Sequence, residues 1–236
     1  MNRRVTAGVM LAGLGLMGGA AAQAEDNMGW YFGLSGGITG ADVSKDDLDQ
    51  SFVDLFATAV EQGTGATTSA ATVGSKLDDS DKTWGVHFGY RFNRYVAAEF
   101  GYVDLGRTDY TNEVALTTSG GPFTFDADWR LLSHGPFASV IGLYPIGDKF
   151  EVHVRGGLYF SDTRLRVRAV DVTDPSVVAS FEVKDSDKDF FGGIGATWNI
   201  NPSYSLRVEY ERYLDVGGDR TDEYDYDVVN VSLLFR

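Results

Sequence analysis

Between Lys82 and Gly106 the side chains alternate with a period of two, which restricts this stretch to paired strands. Trp84, Val86, Phe88, Tyr90 and Phe92 share one face; Gly85, His87, Gly89 and Arg91 share the other. Asn93-Arg94 interrupts the run. The pattern then resumes with Val96, Ala98, Phe100 and Tyr102 against Ala97, Glu99 and Gly101. So short an interruption leaves room only for an antiparallel hairpin. One face of the hairpin is continuously apolar and aromatic, and the other carries Gly, His, Arg and Glu. Two architectures accept it. In a soluble sandwich the apolar face meets a second sheet and the polar face meets water. In an outer-membrane barrel the apolar face meets lipid and the polar face lines a narrow lumen.

The N-terminus favours the barrel. Arg3-Arg4 is a short basic start, Val5 to Leu16 is a Gly-interrupted apolar run, and Ala22-Gln23-Ala24 is a small-x-small cleavage site before Glu25-Asp26. These predict a secretory signal peptide over residues 1–24. The run is too short and too rich in Gly for a spanning helix of about 20 residues. The arginines lack the wider twin-arginine pattern, so general secretion is expected. No other stretch has the length and apolarity of a membrane helix, so a membrane form of this chain is a closed barrel. The sequence has no cysteine, which excludes disulfides, thiol catalysis, thiolate metal sites and a lipidated cysteine anchor. Residues 1–24 hold two arginines and no acids, so their removal moves the net charge from −14 to −16. A field of that sign argues against nucleic acid as a partner. Residues 25–236 suit one β-domain.

Period two recurs along the chain. Trp30, Phe32, Leu34 and Ile38 oppose Tyr31, Gly33, Ser35 and Gly37 in a first strand. Residues 40–82 read as a long loop carrying a short amphipathic helix, with Leu48, Phe52, Leu55, Phe56, Ala59 and Val60 at helical spacing and Gly63 as its end. That helix is expected over the barrel mouth; it lacks the basic face of a membrane-surface helix. A polar segment over 105–123 reads as a second long loop. The fourth strand falls within about 124–144, with ambiguous facing and a bend or bulge expected at Pro136. In the fifth, Phe150, Val152, Val154, Leu158 and Phe160 face out, and Glu151, His153, Arg155, Gly157 and Tyr159 face in. It runs on into a hairpin too long for the bilayer, about 162–188, that turns at Asp174-Pro175-Ser176. The seventh strand has Leu206, Val208 and Tyr210 outward and Arg207, Glu209 and Glu211 inward. After an acidic loop at 214–223, the eighth puts Val229, Val231, Leu233 and Phe235 outward. Long connections alternate with short ones at 93–94, 145–149 and 200–203. Eight strands, short turns on one side and long loops on the other describe an all-β, antiparallel, up-and-down outer-membrane barrel. Trp30, Trp84, Phe92, Tyr95, Tyr144, Trp198, Tyr204 and Phe235 near the strand ends supply aromatic girdles. A soluble lipocalin-like barrel would carry the reverse polarity.

Tyr90-Arg91-Phe92, Val96-Ala97-Ala98-Glu99-Phe100-Gly101-Tyr102, Tyr144-Pro145, Arg155, Gly192-Gly193, Arg207-Val208-Glu209-Tyr210 and Val231-Ser232-Leu233-Leu234-Phe235 carry a resemblance to a known family. The chain resembles the eight-stranded transmembrane domain of OmpA-like outer-membrane proteins, a group close to the small Ail/OmpX-type barrels. The resemblance implies a lumenal gate-like cluster in which Glu99 meets Arg207. Ile141 and Gly195 stand where the family has further lumenal charges, which departs from a family-type switch. The family's barrels end on an aromatic residue read by the barrel-assembly machinery; here Phe235 is followed by Arg236. No peptidoglycan-binding domain is expected after the barrel.

Parity alone turns Arg91, Glu99, Glu151, Arg155, Arg207, Glu209 and Glu211 into the lumen with His87 and His153. Arg91, Glu99, Arg155, Arg207 and Glu209 form the candidate lumenal charge cluster. In a narrow lumen such charges must pair, because an unpartnered buried charge costs several kcal/mol. They are either a structural plug or a constriction that opens to small solutes, and the side-chain-filled interior of an eight-stranded barrel favours the plug. A lipid-modifying enzyme needs a nucleophile beside a base. His134 neighbours Ser133, but adjacent strand residues face opposite ways, so no enzyme is expected. Arg164, Arg166 and Arg168 share the outward parity above the bilayer. They are candidates for contact with lipopolysaccharide phosphates, against the plainer alternative of a solvated face balanced by acids. Asp185, Asp187 and Asp189 alternate like the start of a calcium loop, but Phe190 and Ala196 replace the Gly and Glu such a loop requires. No metal or other cofactor is expected. The expected role is structural or surface-interacting in the cell envelope, with a low-conductance channel as the alternative. The expected partners are outer-membrane lipid and lipopolysaccharide.

Overall fold

The computed structural model describes residues 28–64, 69–118, 121–172, 176, 178–218 and 221–236. The expected signal peptide lies outside the described residues. In chain order the elements are β1 (Gly29–Ala41), α1 (Lys45–Thr64), β2 (Ser69–Asp78), β3 (Ser80–Asn93), β4 (Val96–Thr118), β5 (Gly121–Ile146), β6 (Phe150–Asp171), β7 (Val178–Asn201), β8 (Tyr204–Gly218) and β9 (Asp222–Phe235). Eight of the strands close a ring in the order β1-β3-β4-β5-β6-β7-β8-β9, and β9 returns to β1. Leu34 opposite Leu233 and Ser35 opposite Ser232 mark that closure. The remaining segment, β2, pairs with the upper part of β4 from Thr117 to Asp109, while β3 pairs with its lower part from Asp104 to Val96. β2 therefore occupies β3's position beside β4 farther from the bilayer.

Within the ring the alternation predicts the facing. Trp30, Ile38, Phe88, Phe100, Val154, Ile194 and Val231 are exposed on the outer face, while His87, Glu99, Arg155 and Arg207 are buried inside. The outward apolar run extends from Trp84 to Phe92 on β3 and from Phe150 to Phe160 on β6. That matches the roughly 9–11 residues with which a tilted strand crosses a bilayer. Aromatic rings pair around the end that bears the short turns: Trp30 with Tyr90 at 5.0 Å, Tyr90 with Phe92 at 5.1 Å and Tyr204 with Phe235 at 5.5 Å. Trp84 belongs to the opposite girdle, where its ring lies 6.2 Å from Tyr102. No described helix is long and apolar enough to cross a membrane.

The strands continue far beyond the bilayer. β5 has 26 residues, which at about 3.3 Å per residue is roughly 85 Å of strand. Residues 105–123, expected as a loop, are instead mostly the paired ends of β4 and β5, from Leu116 opposite Phe123 to Thr108 opposite Leu131. Residues 69–78 of the expected 40–82 loop form β2, and 214–223 is mostly the ends of β8 and β9. A shift in parity disguised this in the sequence. The β4–β5 register slips between Asp104 and Arg107, where Gly106 adopts a φ of 82°. Below this bulge the inward residues of β4 are odd (Ala97, Glu99, Val103); above it they are even (Tyr110, Asn112, Val114, Leu116). The irregularity expected at Pro136 is thus in the neighbouring strand, and Pro136 keeps its register opposite Tyr102.

α1 forms where helical spacing predicts it. Ser44 caps it, its Oγ accepting from the Asp47 amide at 3.3 Å, and Asp46 and Asp47 in the first turn complement the helix dipole. Gly63, expected as its end, falls inside its last turn. Leu48 and Phe52 are buried against the extracellular extension. The Phe52 ring lies 5.4 Å from Tyr110, and Phe56 stacks on Phe125 at 5.5 Å.

Candidate functional site

The lumen inside the bilayer is built on charge pairs. β4 supplies Glu99, β6 supplies Arg155, and β8 supplies Arg207, Glu209 and Glu211 at successive inward positions. Arg207 Nη1 donates to Glu99 Oε1 at 2.6 Å, and Tyr31 OH donates to the same oxygen at 2.6 Å. Arg155 donates to Glu99 through Nη2 and to Glu211 through Nη1. Its Nη2 is also 3.3 Å from Glu209 Oε1. His153 Nε2 meets Glu209 at 2.9 Å, and Asn230 Nδ2 and Tyr213 OH donate to Glu211 Oε2 at 3.0 and 3.2 Å. Glycines make the room: a Cβ at Gly89 would enter the Tyr31 ring, and one at Gly33 would enter His87.

Arg91, expected in the same cluster, belongs to a second one nearer the short turns. Its guanidinium grips Glu151 in a fork at 3.0 and 2.7 Å, with Asn199 at 2.8 Å and Arg236 at 3.7 Å from the same carboxylate. Parity reports which way a residue faces but not its depth, which depends on the stagger between strands. Tyr31, Ile141, Leu143, Ala97 and Leu234 pack as an apolar layer within the lumen. Ile141 is fully buried there. Across both clusters Glu99, Glu151, Glu209 and Glu211 face Arg91, Arg155, Arg207 and Arg236, so the fixed charges balance. Two voids in the lumen measure about 20 Å³ beside Arg155 and about 10 Å³ beside Arg91. Neither holds more than about one water.

Above the bilayer the interior changes character. Tyr110, Val114, Leu116, Trp129, Leu131 and Val167 are buried in one apolar cluster with Leu48 and Phe52 of α1. Asp49 links helix and wall, accepting from Tyr110 OH and, at 2.9 Å, from Ser75 Oγ. Burial pushes the Asp49 carboxyl up, but the bonds from Tyr110, Ser75 and Lys45 outweigh it and hold the group below the usual carboxylate range. Burial and the bond to Asp49 push the Tyr110 phenol well up. The sequence carried a signal for this region, since Tyr110, Asn112, Val114 and Leu116 alternate, but a reading frame begun at Glu99 loses it at Gly106.

The outward arginines sit as their parity predicts. Arg164 lies 3.6 Å from Asp162, and Arg166 Nε donates to Glu182 at 2.8 Å. Arg168 has no ion pair among the described residues. With Arg130, Arg166 and Arg168 line a cleft of about 680 Å³ on the outer face of β4 to β7, which also contains Asp109, Asp128 and Glu182. Ser133 and His134 separate: Ser133 Oγ meets Tyr159 OH at 3.1 Å inside, and His134 Nδ1 meets Tyr102 OH at 2.6 Å on the other face. They form no nucleophile–base pair. Among the described residues no group of acids and histidines is arranged to hold a metal ion.

A family model described as the OmpA-like transmembrane domain matches residues 26–236. The chain belongs to that family. This OmpA-like barrel therefore resides in the bacterial outer membrane, among its lipids and lipopolysaccharide. No curated protein matches the sequence. Among solved structures, Neisserial surface protein A is 13% identical over 87% of this chain and 96% of its own, with a TM-score of 0.48. The attachment invasion locus protein of Yersinia pestis, in complex with a heparin analogue, is 13% identical over 88% and 100%, with a TM-score of 0.41. OprG of Pseudomonas aeruginosa is 15% identical over 89% and 97%, with a TM-score of 0.37.

Proposed function

We propose that this OmpA-like barrel is a non-enzymatic structural and surface-interacting protein of the envelope. The packing of the lumen supports the reading: four carboxylates pair with four guanidiniums there, and the voids beside Arg155 and Arg91 are about 20 and 10 Å³. The parts of the molecule free to engage partners are then its tall extracellular strands. Outward Arg164, Arg166 and Arg168 meet lipopolysaccharide phosphates in this reading. Arg168 is the strongest candidate of the three, because Asp162 and Glu182 already occupy the other two. Phe235, with its ring against Tyr204, serves as the aromatic signal to the assembly machinery. Changing the three arginines to Ser should lower the lipopolysaccharide retained through purification, and unchanged retention would remove that contact from the reading.

One observation favours a second reading, a low-conductance channel. Arg155 reaches Glu99, Glu209 and Glu211 at once, so it can exchange carboxylates without ever being unpaired. Planar-bilayer recording separates the two. The structural reading expects no current steps from the wild type. Steps in the wild type that grow in Glu99→Ala would establish the channel instead; a silent Glu99→Ala barrel would eliminate the gate.

A further inference from the structure

The outward rows of the strands leave the bilayer at the girdle that holds Trp84. On β3 the next outward residue above Trp84 is Lys82, opposite Ile38 of β1. On β7 the next above Phe190 is Lys188, opposite Phe160 of β6. Ile38, Trp84 and Phe190 are 64, 51 and 68% exposed on the lipid-facing surface, so each lysine begins where that apolar surface ends. On β4, β5, β6, β8 and β9 the first charged or imidazole side chain past the apolar run is already bound within the chain. Asp104 accepts from the Gly106 amide at 2.8 Å, and His134 meets Tyr102 OH at 2.6 Å. Asp162 lies 3.6 Å from Arg164, and Arg212 lies 3.3 Å from Asp227. Lys82 and Lys188 are exposed and have no ion pair among the described residues.

β3 and β7 are four places apart in the ring of eight, so the two lysines stand on opposite sides of the barrel. A lysine stem lies along apolar surface while its ammonium reaches the interface. The interface here belongs to a membrane whose lipopolysaccharide carries phosphate. The partner that fits is therefore anionic, lipid-borne and at headgroup depth. We propose that Lys82 and Lys188 each hold a phosphate of the lipid anchor of lipopolysaccharide, one molecule on either side of the barrel. This rests on the reading of the barrel as a lipopolysaccharide-contacting protein and assigns depth within it. Arg168 lies eight residues along β6 past Phe160, roughly 26 Å of strand, and so faces phosphates on the sugars farther from the membrane.

The test uses the full folded barrel in detergent micelles, titrated with lipid A and, separately, with lipid A stripped of its phosphates; native mass spectrometry counts the bound lipid. Saturable binding of two lipid A molecules per barrel is expected, with the dephosphorylated form at least tenfold weaker. Lys82→Ser and Lys188→Ser should each remove one molecule, and the double variant should bind at least tenfold more weakly. Lys82→Arg with Lys188→Arg should retain binding. Both side chains are exposed, and heat-modifiable migration on gels verifies that each variant is folded. Changing Arg164, Arg166 and Arg168 to Ser should leave lipid A binding unchanged whatever it does to the retention of whole lipopolysaccharide, so the two readings fail separately. Four results overturn the proposal: no saturable lipid A binding, equal binding of the dephosphorylated form, wild-type affinity in the folded double serine variant, or an equal loss in the arginine variant.

Discussion

Inside the bilayer this barrel buries charge and shows apolar side chains; above the bilayer the same strands bury apolar side chains and show charge. Along β6 the inward row passes from Glu151, His153 and Arg155 to Leu165, Val167 and Ala169, while the outward row passes from Val152 and Val154 to Arg164, Arg166 and Arg168. The strand geometry is the same in both halves, so the difference comes from the medium outside. Lipid tails are as apolar as Leu, so burying Leu inside the transmembrane ring gains almost nothing. The lumen can then hold paired carboxylates and guanidiniums that fill space and fix one arrangement. Above the bilayer the outer medium is water, and burying a Leu or Phe there is worth about 1.5–3 kcal/mol. That region folds as a soluble β-protein folds, with α1 as part of its core.

Four changes sharpen this contrast. The largest effect is expected from Arg155→Met, which leaves Glu99, Glu209 and Glu211 with too little positive charge inside the bilayer. Breaking a buried pair in this way costs about 3–5 kcal/mol, read as a lower urea midpoint for unfolding from lipid vesicles. A shift no larger than that of an exposed arginine variant would mean the cluster is not a structural plug. Next comes Phe52→Ala, whose truncated aromatic costs about 3 kcal/mol. The loss should be local. Amide hydrogen exchange in α1 should accelerate while the transmembrane strands keep their protection; equal acceleration in both would make the two halves one cooperative unit. Gly106→Val is expected to cost about 1–2 kcal/mol for its left-handed backbone, with a further clash because a Cβ there lies 2.9 Å from the Lys82 carbonyl. It should weaken the extension more than the ring, visible in the exchange rates of β2 amides. Acid should have the smallest effect. Asp49 is held below its unfolded value of about 3.9, so its contribution is complete at neutral pH and is lost as pH falls through the folded pKa. α1 amides should lose protection below about pH 4, and Asp49→Asn should flatten that dependence.

Facing was the most legible property of the sequence. The inward set Glu99, Arg155, Arg207 and Glu209 and the outward set Trp30, Phe88, Val154 and Val231 follow from period two. α1 followed from the spacing of Leu48, Phe52 and Phe56. What misled was polarity above the bilayer: Thr111 and Glu113 gave 105–123 the composition of a loop, although they form the wet face of a strand whose dry face is Tyr110, Val114 and Leu116. Phe137 to Tyr144 was ambiguous because Phe137, Ile141 and Leu143 face an interior that is partly apolar, while Val140 and Tyr144 face lipid.

By itself the sequence determined the barrel, its strand count in the ring, the facing of its charges and the helix after β1, because each is written in a local period that the chain carries without its neighbours. Only the tertiary structure decided that Arg91 joins Glu151 rather than Glu99 and that a bulge at Gly106 reverses the facing of β4. Those outcomes depend on how far each strand slides against the next as the ring closes, and that stagger is a property of the whole sheet.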